Sequence, residues 1–250
     1  MPEVISAILA QEGLVWLILG TFIAGVVRGF TGFGTALVFL PIAGLVLPPV
    51  QALVVLVVMD LIGAAPNLPR AVRDGLPGKI ALMLAGALIA LPLGLLVLFS
   101  VRPELFRYVV SGIALLAPVL MAAGFRLTRP LGPGLLFGTG VVSGFLGGIS
   151  GLAGPPVILL YMASNLPTQA IRGNIMSYLS AFGLLMIGVL AVQGRFAPEA
   201  ALIGLLLAVP NLLGNLAGAA MFQPERAKLY RATGYAIITA SALAGLPLWD

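Results

Sequence analysis

The 250 residues hold 13 basic and 8 acidic side chains, a formal net charge of +5, against 60% hydrophobic residues. Soluble domains are about 25% charged, so a chain that is 8% charged cannot cover a globule with polar groups, and a water-soluble fold is excluded. There is no Cys and no His, which excludes a thiol nucleophile, a disulfide, an iron–sulfur cluster and a His-bound haem or zinc.

The basic excess forms no patch or aromatic-interleaved stripe of the kind nucleic acid requires, so no nucleic-acid partner is expected. The bases sit singly or in small groups between apolar segments, as in membrane proteins. In lipid every backbone group must bond internally, which leaves helices or a closed barrel. The apolar runs lack the alternation of barrel strands. An all-α integral membrane protein with the bilayer as its solvent is therefore predicted.

In chain order, helices are predicted near 8–28, 50–66, 78–100 and 105–125, then near 134–148, 167–191, 198–220 and 230–248. The start, Met1-Pro2-Glu3 with Glu12 following, lacks the basic opening of a secretory signal, so the first apolar stretch is expected to be a mature helix. Two stretches, 34–47 and 152–163, are too short to cross unaided, and each follows a glycine-rich break. Whether they span or re-enter is left open.

The chain repeats itself. Gly25-Val26-Val27-Arg28-Gly29-Phe30 returns as Gly140-Val141-Val142-Ser143-Gly144-Phe145, and Pro49-Val50-Gln51-Ala52 as Pro167-Thr168-Gln169-Ala170. Pro92 and Gly94 answer to Pro210 and Gly214, and Pro103-Glu104 to Pro224-Glu225. Two internal repeats in one transmembrane domain follow, residues 1–130 and 131–250. If the short stretches cross, each half has five segments and the second half is inverted. If they dip and return, the halves are parallel, four plus four. The inverted five-plus-five arrangement puts Arg70, Arg73, Lys79, Arg126, Arg129, Arg226, Lys228 and Arg231 on the cytoplasmic side. Arg102, Arg107 and Arg195 then lie outside with both acidic termini, and the charge rule favours it.

The breaks carry the chemistry. The first is Arg28-Gly29-Phe30-Thr31-Gly32-Phe33-Gly34-Thr35, and the second runs from Gly144 to Pro156. Glycine lets the backbone leave helical angles, and broken backbone at membrane depth survives only inside protein or beside a wet cavity. Half-helices starting near Thr35 and near Pro155 would present free amides and a partial positive charge, which suit an anion. In the inverted arrangement they would enter from opposite faces and meet near the midplane. The expected anion-binding residues are Arg28, Gly32, Gly34, Thr35, Gly148, Ser150, Gly151, Gly154, Arg172 and Asn174. Any single glycine there could instead serve helix packing. Arg28 and Arg172 would supply charge, or anchor helix ends. Asp60, the only acid within the apolar stretch 53–65, could couple transport to protons or pair with an Arg. Asn211 and Asn215 share a helix face and are further polar candidates for the substrate, although interhelical hydrogen bonds explain them adequately.

Gly147-Gly148-Ile149-Ser150-Gly151-Leu152-Ala153-Gly154-Pro155-Pro156, followed by Tyr161 and Arg172-Gly173-Asn174, resembles the TauE/SafE, or sulfite exporter, family over nearly the whole chain. The first-half counterpart, Gly32-Phe33-Gly34 up to Pro41, is poorer in glycine. The resemblance implies transport of sulfite, sulfonates, sulfoacetate or related organic anions across the bacterial inner membrane. The expectation is a multi-pass secondary transporter working by alternating access, with a small anionic solute as its partner and no cofactor or metal. The alternatives are an anion channel and a non-transporting assembly protein. Clustered carboxylates are lacking, so an enzyme is not expected and no residue is given a catalytic role. Nothing in the sequence excludes a homo-oligomer.

Overall fold

A computed structural model describes residues 13–124, 127, 131–221 and 227–248, except the side chains of Phe30, Ala227 and Lys228. The start of the first predicted helix, Glu12, Arg126, Arg129, Pro224, Glu225 and Arg226 lie outside the described residues.

The described chain is helical throughout: α1 (Leu14–Thr31), α2 (Thr35–Ala43), α3 (Pro49–Ala64), α4 (Leu68–Asp74), α5 (Pro77–Ser100), α6 (Pro103–Ala122), α7 (Pro133–Ser150), α8 (Gly154–Ala163), α9 (Thr168–Val192), α10 (Pro198–Met221) and α11 (Ala227–Gly245). Proline sets many of the starts: α4 to α8 each carry one in the first two positions. There its missing N–H costs nothing and its fixed φ suits the helix. Among the described residues no strand occurs. Large apolar side chains face outwards, with Trp16 65%, Ile89 61% and Val192 90% exposed, the surface of a protein solvated by lipid.

By length and composition, α5, α6, α7, α9 and α10 are fit to cross a membrane, and α3 with α4 makes a sixth if their 79° bend counts as one span. That is fewer than five plus five. The expected short stretches are helices of 9 and 10 residues, α2 and α8. At 1.5 Å per residue each covers about half of a 30 Å hydrocarbon core. The expected loop after residue 66 contains α4, which the sequence reading did not anticipate.

The chain forms two compact units. The first comprises Met1–Gly63, Pro103–Leu115 and Arg195–Asp250, and the second Ala64–Arg102 and Leu116–Gly194. Neither coincides with a sequence half: each draws helices from both sides of residue 130.

Each unit is organised by one pair of tightly packed helices. In the first, α1 lies on α10. A Cβ on Gly25 or Gly29 would collide with the Asn211 or Asn215 carbonyl oxygen, and one on Gly214 or Gly218 with that of Phe22 or Val26. In the second, α5 lies on α7, with Gly140, Gly144 and Gly148 against the backbone of Met83, Ala87 and Leu91, and Gly86 and Gly94 against Phe137 and Phe145. Within each pair the contact positions advance together along both chains, so the helices run parallel. Absent side chains let the backbones approach, which supplies packing where lipid offers no hydrophobic drive.

Candidate functional site

The first break belongs to the first unit. α1 ends at Thr31, whose hydroxyl donates to the Val27 carbonyl at 2.7 Å and accepts the Phe33 N–H at 3.2 Å. Gly32 then takes a left-handed φ of 84°, its N–H closing on the Arg28 carbonyl, and Gly34 takes a φ of 103°. A side chain at either position would be strained. The reversal launches α2 at Thr35. Its first backbone hydrogen bond runs from Val38 N–H to Gly34 O at 3.1 Å. The amides of Thr35, Ala36 and Leu37 therefore have no carbonyl one turn back in their own helix.

Arg28 sits beside this start. It is 9% exposed and the one charged residue in the buried core among the described residues. Its Nη1 donates to Asp60 Oδ1 on α3, as an ion pair, and lies 3.4 Å from Thr35 Oγ1. The Asp60 side chain is the more open partner, 24% exposed against 10% for Arg28. Asp60 thus makes the Arg pairing that its place in an apolar stretch allowed.

The second break, in the second unit, uses the same parts. Ser150 ends α7, donating to the Leu146 carbonyl at 2.6 Å and accepting the Leu152 N–H at 3.2 Å. Gly151 follows with φ 76° and its N–H on the Gly147 carbonyl. The shared bonding aligns Thr31 with Ser150 and Gly32 with Gly151. The string match of Gly25 with Gly140 is displaced from this alignment by about one helical turn. α8 then starts at Gly154, but Pro155 and Pro156 withhold two of its first-turn amides. In place of an ion pair, Ser143 donates to the Ala153 carbonyl at 2.6 Å and accepts the Tyr178 hydroxyl of α9 at 2.9 Å. Among the described residues, the glycine-richer break is thus the poorer in free donors and has no buried charge.

The remaining predicted residues are scattered. Gly148 lies inside α7, packed on Leu91 and Gly94, and does not line the break. Arg172 is exposed just beyond the first turn of α9. Asn174 is fully buried two residues on, and its Oδ1 accepts the Leu76 N–H at 2.7 Å, tying the α4–α5 turn to α9. Asn211 and Asn215 meet α1 through their backbone, and the buried Asn211 carboxamide has no partner. Ser143 and Tyr178 had not been singled out. Their only signal was a hydroxyl at the position matched to Arg28 and a Tyr within an apolar helix. Among the described residues no group of three or more acidic, His or Cys side chains could hold a metal. An apolar groove between α5 and α9, lined by Leu88, Pro92, Leu184 and Val192, offers an anion nothing.

Comparison with curated proteins and with solved structures finds no match. The family model for the sulfite exporter TauE/SafE matches residues 17–245, nearly the whole described chain and both breaks. With its apolar helices, its paired glycine breaks and this match, the chain belongs to the sulfite exporter TauE/SafE family, a family of membrane transporters rather than enzymes.

Proposed function

We propose that this multi-pass membrane protein is a secondary transporter that moves a small anion, sulfite or an organosulfonate, by alternating access across a bacterial inner membrane. The observation that carries the reading is the first break. A buried guanidinium stands beside the free first-turn amides of a half-helix, so fixed positive charge and aligned donors converge at one point. Arg28, Gly32, Gly34 and Thr35 are the proposed substrate residues there. Ser150, Gly151 and Gly154 are the weaker counterpart in the other unit, and the two-repeat organisation is proposed with them. Gly148, Arg172 and Asn174 receive packing, interfacial and turn-fixing roles in preference to substrate binding.

Asp60 is the proposed coupling residue. An anion that takes over Arg28 leaves its carboxylate without a counter-charge, and an unpaired charge at membrane depth is costly. A proton taken from the open side of Asp60 restores neutrality, so one proton would accompany each monoanion. No covalent bond to the substrate is made or broken.

Uptake into proteoliposomes, tested with sulfite, sulfate, taurine and sulfoacetate, checks the function. Saturable flux of at least one sulfur anion is expected. Protein-independent leak for all four sinks the reading. Non-saturating flux that never moves a solute uphill would favour a channel.

A further inference from the structure

Three helices of the first unit converge on one buried carboxamide. Asn211 of α10 is 0% exposed, and neither its Nδ2 nor its Oδ1 has a hydrogen-bond partner among the described residues. Its backbone carbonyl lies against Gly25 of α1, one turn before Arg28. Its Oδ1 stands 2.8 Å from where a Cβ on Gly63 of α3 would be, one turn beyond Asp60. Both contacts lie about one helical turn from the Arg28–Asp60 pair, one on α1 and one on α3. Thr21, one turn before Gly25 on the same stripe of α1, is also 0% exposed, and its hydroxyl is unpartnered.

Buried polar groups are nearly always paired, because burial without a partner forfeits their hydration. Asn211 and Thr21 are two such orphans within a turn or two of a buried guanidinium, and a polar ligand bound there would satisfy them. The glycines let α1 and α3 close on Asn211. A side chain at Gly63 would press on the carboxamide, and one at Gly25 would push α10 away.

We propose that Asn211 is a binding residue for the anion that Arg28 attracts, its Nδ2 donating to one oxygen while Arg28 holds another, with Thr21 lining the approach. The inference rests on the transporter reading above and deepens it by naming what the site selects. A ligand that bridges a guanidinium and a carboxamide needs at least two acceptor atoms. A sulfite, sulfonate or carboxylate group has them and a halide does not. A site built around such a donor rejects analogues that leave it unpaired.

The test is Asn211→Leu, which keeps the size and removes the donor, beside Thr21→Val. Melting temperature is read with increasing sulfite and with chloride, and sulfite flux in proteoliposomes. Wild type should be stabilised by sulfite and not by chloride. Asn211→Leu should melt no lower than wild type without ligand, lose the sulfite-induced rise and lose flux by about tenfold or more. Thr21→Val should melt unchanged and lose flux less. Retention of wild-type flux and sulfite response in Asn211→Leu overturns the inference and leaves the transporter reading standing. So does a fall in its ligand-free melting temperature, which would make Asn211 structural. Chloride stabilisation equal to that by sulfite overturns the selectivity. A wild type that neither carries nor binds any sulfur anion overturns both readings.

Discussion

A buried guanidinium paired with a half-buried carboxylate is held at a desolvation cost, so neither is easily lost alone. Removing one partner of such a pair typically costs about 3–5 kcal/mol, while replacing both with apolar groups can be neutral or better. Arg28→Met is therefore expected to lower the melting temperature markedly, and Arg28→Met with Asp60→Leu to recover it without recovering flux, as scanning calorimetry and liposome uptake would read. Recovery of both would remove Arg28 from the site. Asp60→Asn keeps size and hydrogen bonding but cannot take up a proton. Wild type should accumulate a monoanion about tenfold for each unit of inwardly directed pH gradient, the ratio a one-to-one proton symport sets. Asp60→Asn should exchange its substrate across the membrane but not accumulate it, since the empty site would leave Arg28 without a counter-charge. Wild-type accumulation indifferent to the gradient refutes the coupling. Arg28 beside its break and Asp60 alone in an apolar run were both conspicuous in the sequence. Their meeting was not, because the facing of α1 against α3 depends on packing that neither stretch encodes by itself.

Among the elements, the breaks were read correctly and their glycines only in part. Thr35 and Gly154 open the half-helices within a residue of the expected starts, since glycine, proline and a terminal hydroxyl are local signals. Which glycine serves a break and which serves packing is decided by the neighbouring helix. Gly144 and Gly138 lie on the same helix. A side chain at Gly144 would strike the Ala87 backbone, whereas nothing lies within 4 Å of Gly138. Gly144→Leu should therefore leave little folded protein after size-exclusion chromatography, and Gly138→Leu should fold normally and gain up to about 1 kcal/mol in helix propensity. Equal yields would refute the close α5–α7 packing. Gly151 has a positive φ, so the backbone strain in Gly151→Ala should lower stability by roughly 1 kcal/mol, as thermal melting would read. The short α4 escaped prediction although Asn67, Pro69 and Gly75 frame it, because its charged residues read as a loop.

For the molecule as a whole, the chain's lack of cysteine makes its sidedness open to single-cysteine labelling. α5 runs from Pro77 to Ser100 with α4 just before it, so Arg73→Cys and Ser100→Cys should react with an impermeant reagent from opposite sides. By the excess of basic residues, Arg73→Cys should be reached from the cytoplasm. Labelling of both from one side would show that α5 does not cross. Composition alone determined the solvent and the absence of thiol and imidazole chemistry, because these depend on which residues are present and not on where they go, and the lack of alternation in the apolar runs determined the helical class. Local sequence fixed the two breaks, since a left-handed glycine and a helix-starting proline act within a few residues. Only the tertiary structure decided that α1 lies on α10 and α5 on α7, each across the sequence midpoint. It alone buried Arg28 with Asp60 and left Asn211 unpaired. Those outcomes depend on contacts between residues far apart in the chain, and backbone approach through glycine selects them only once the helices have met.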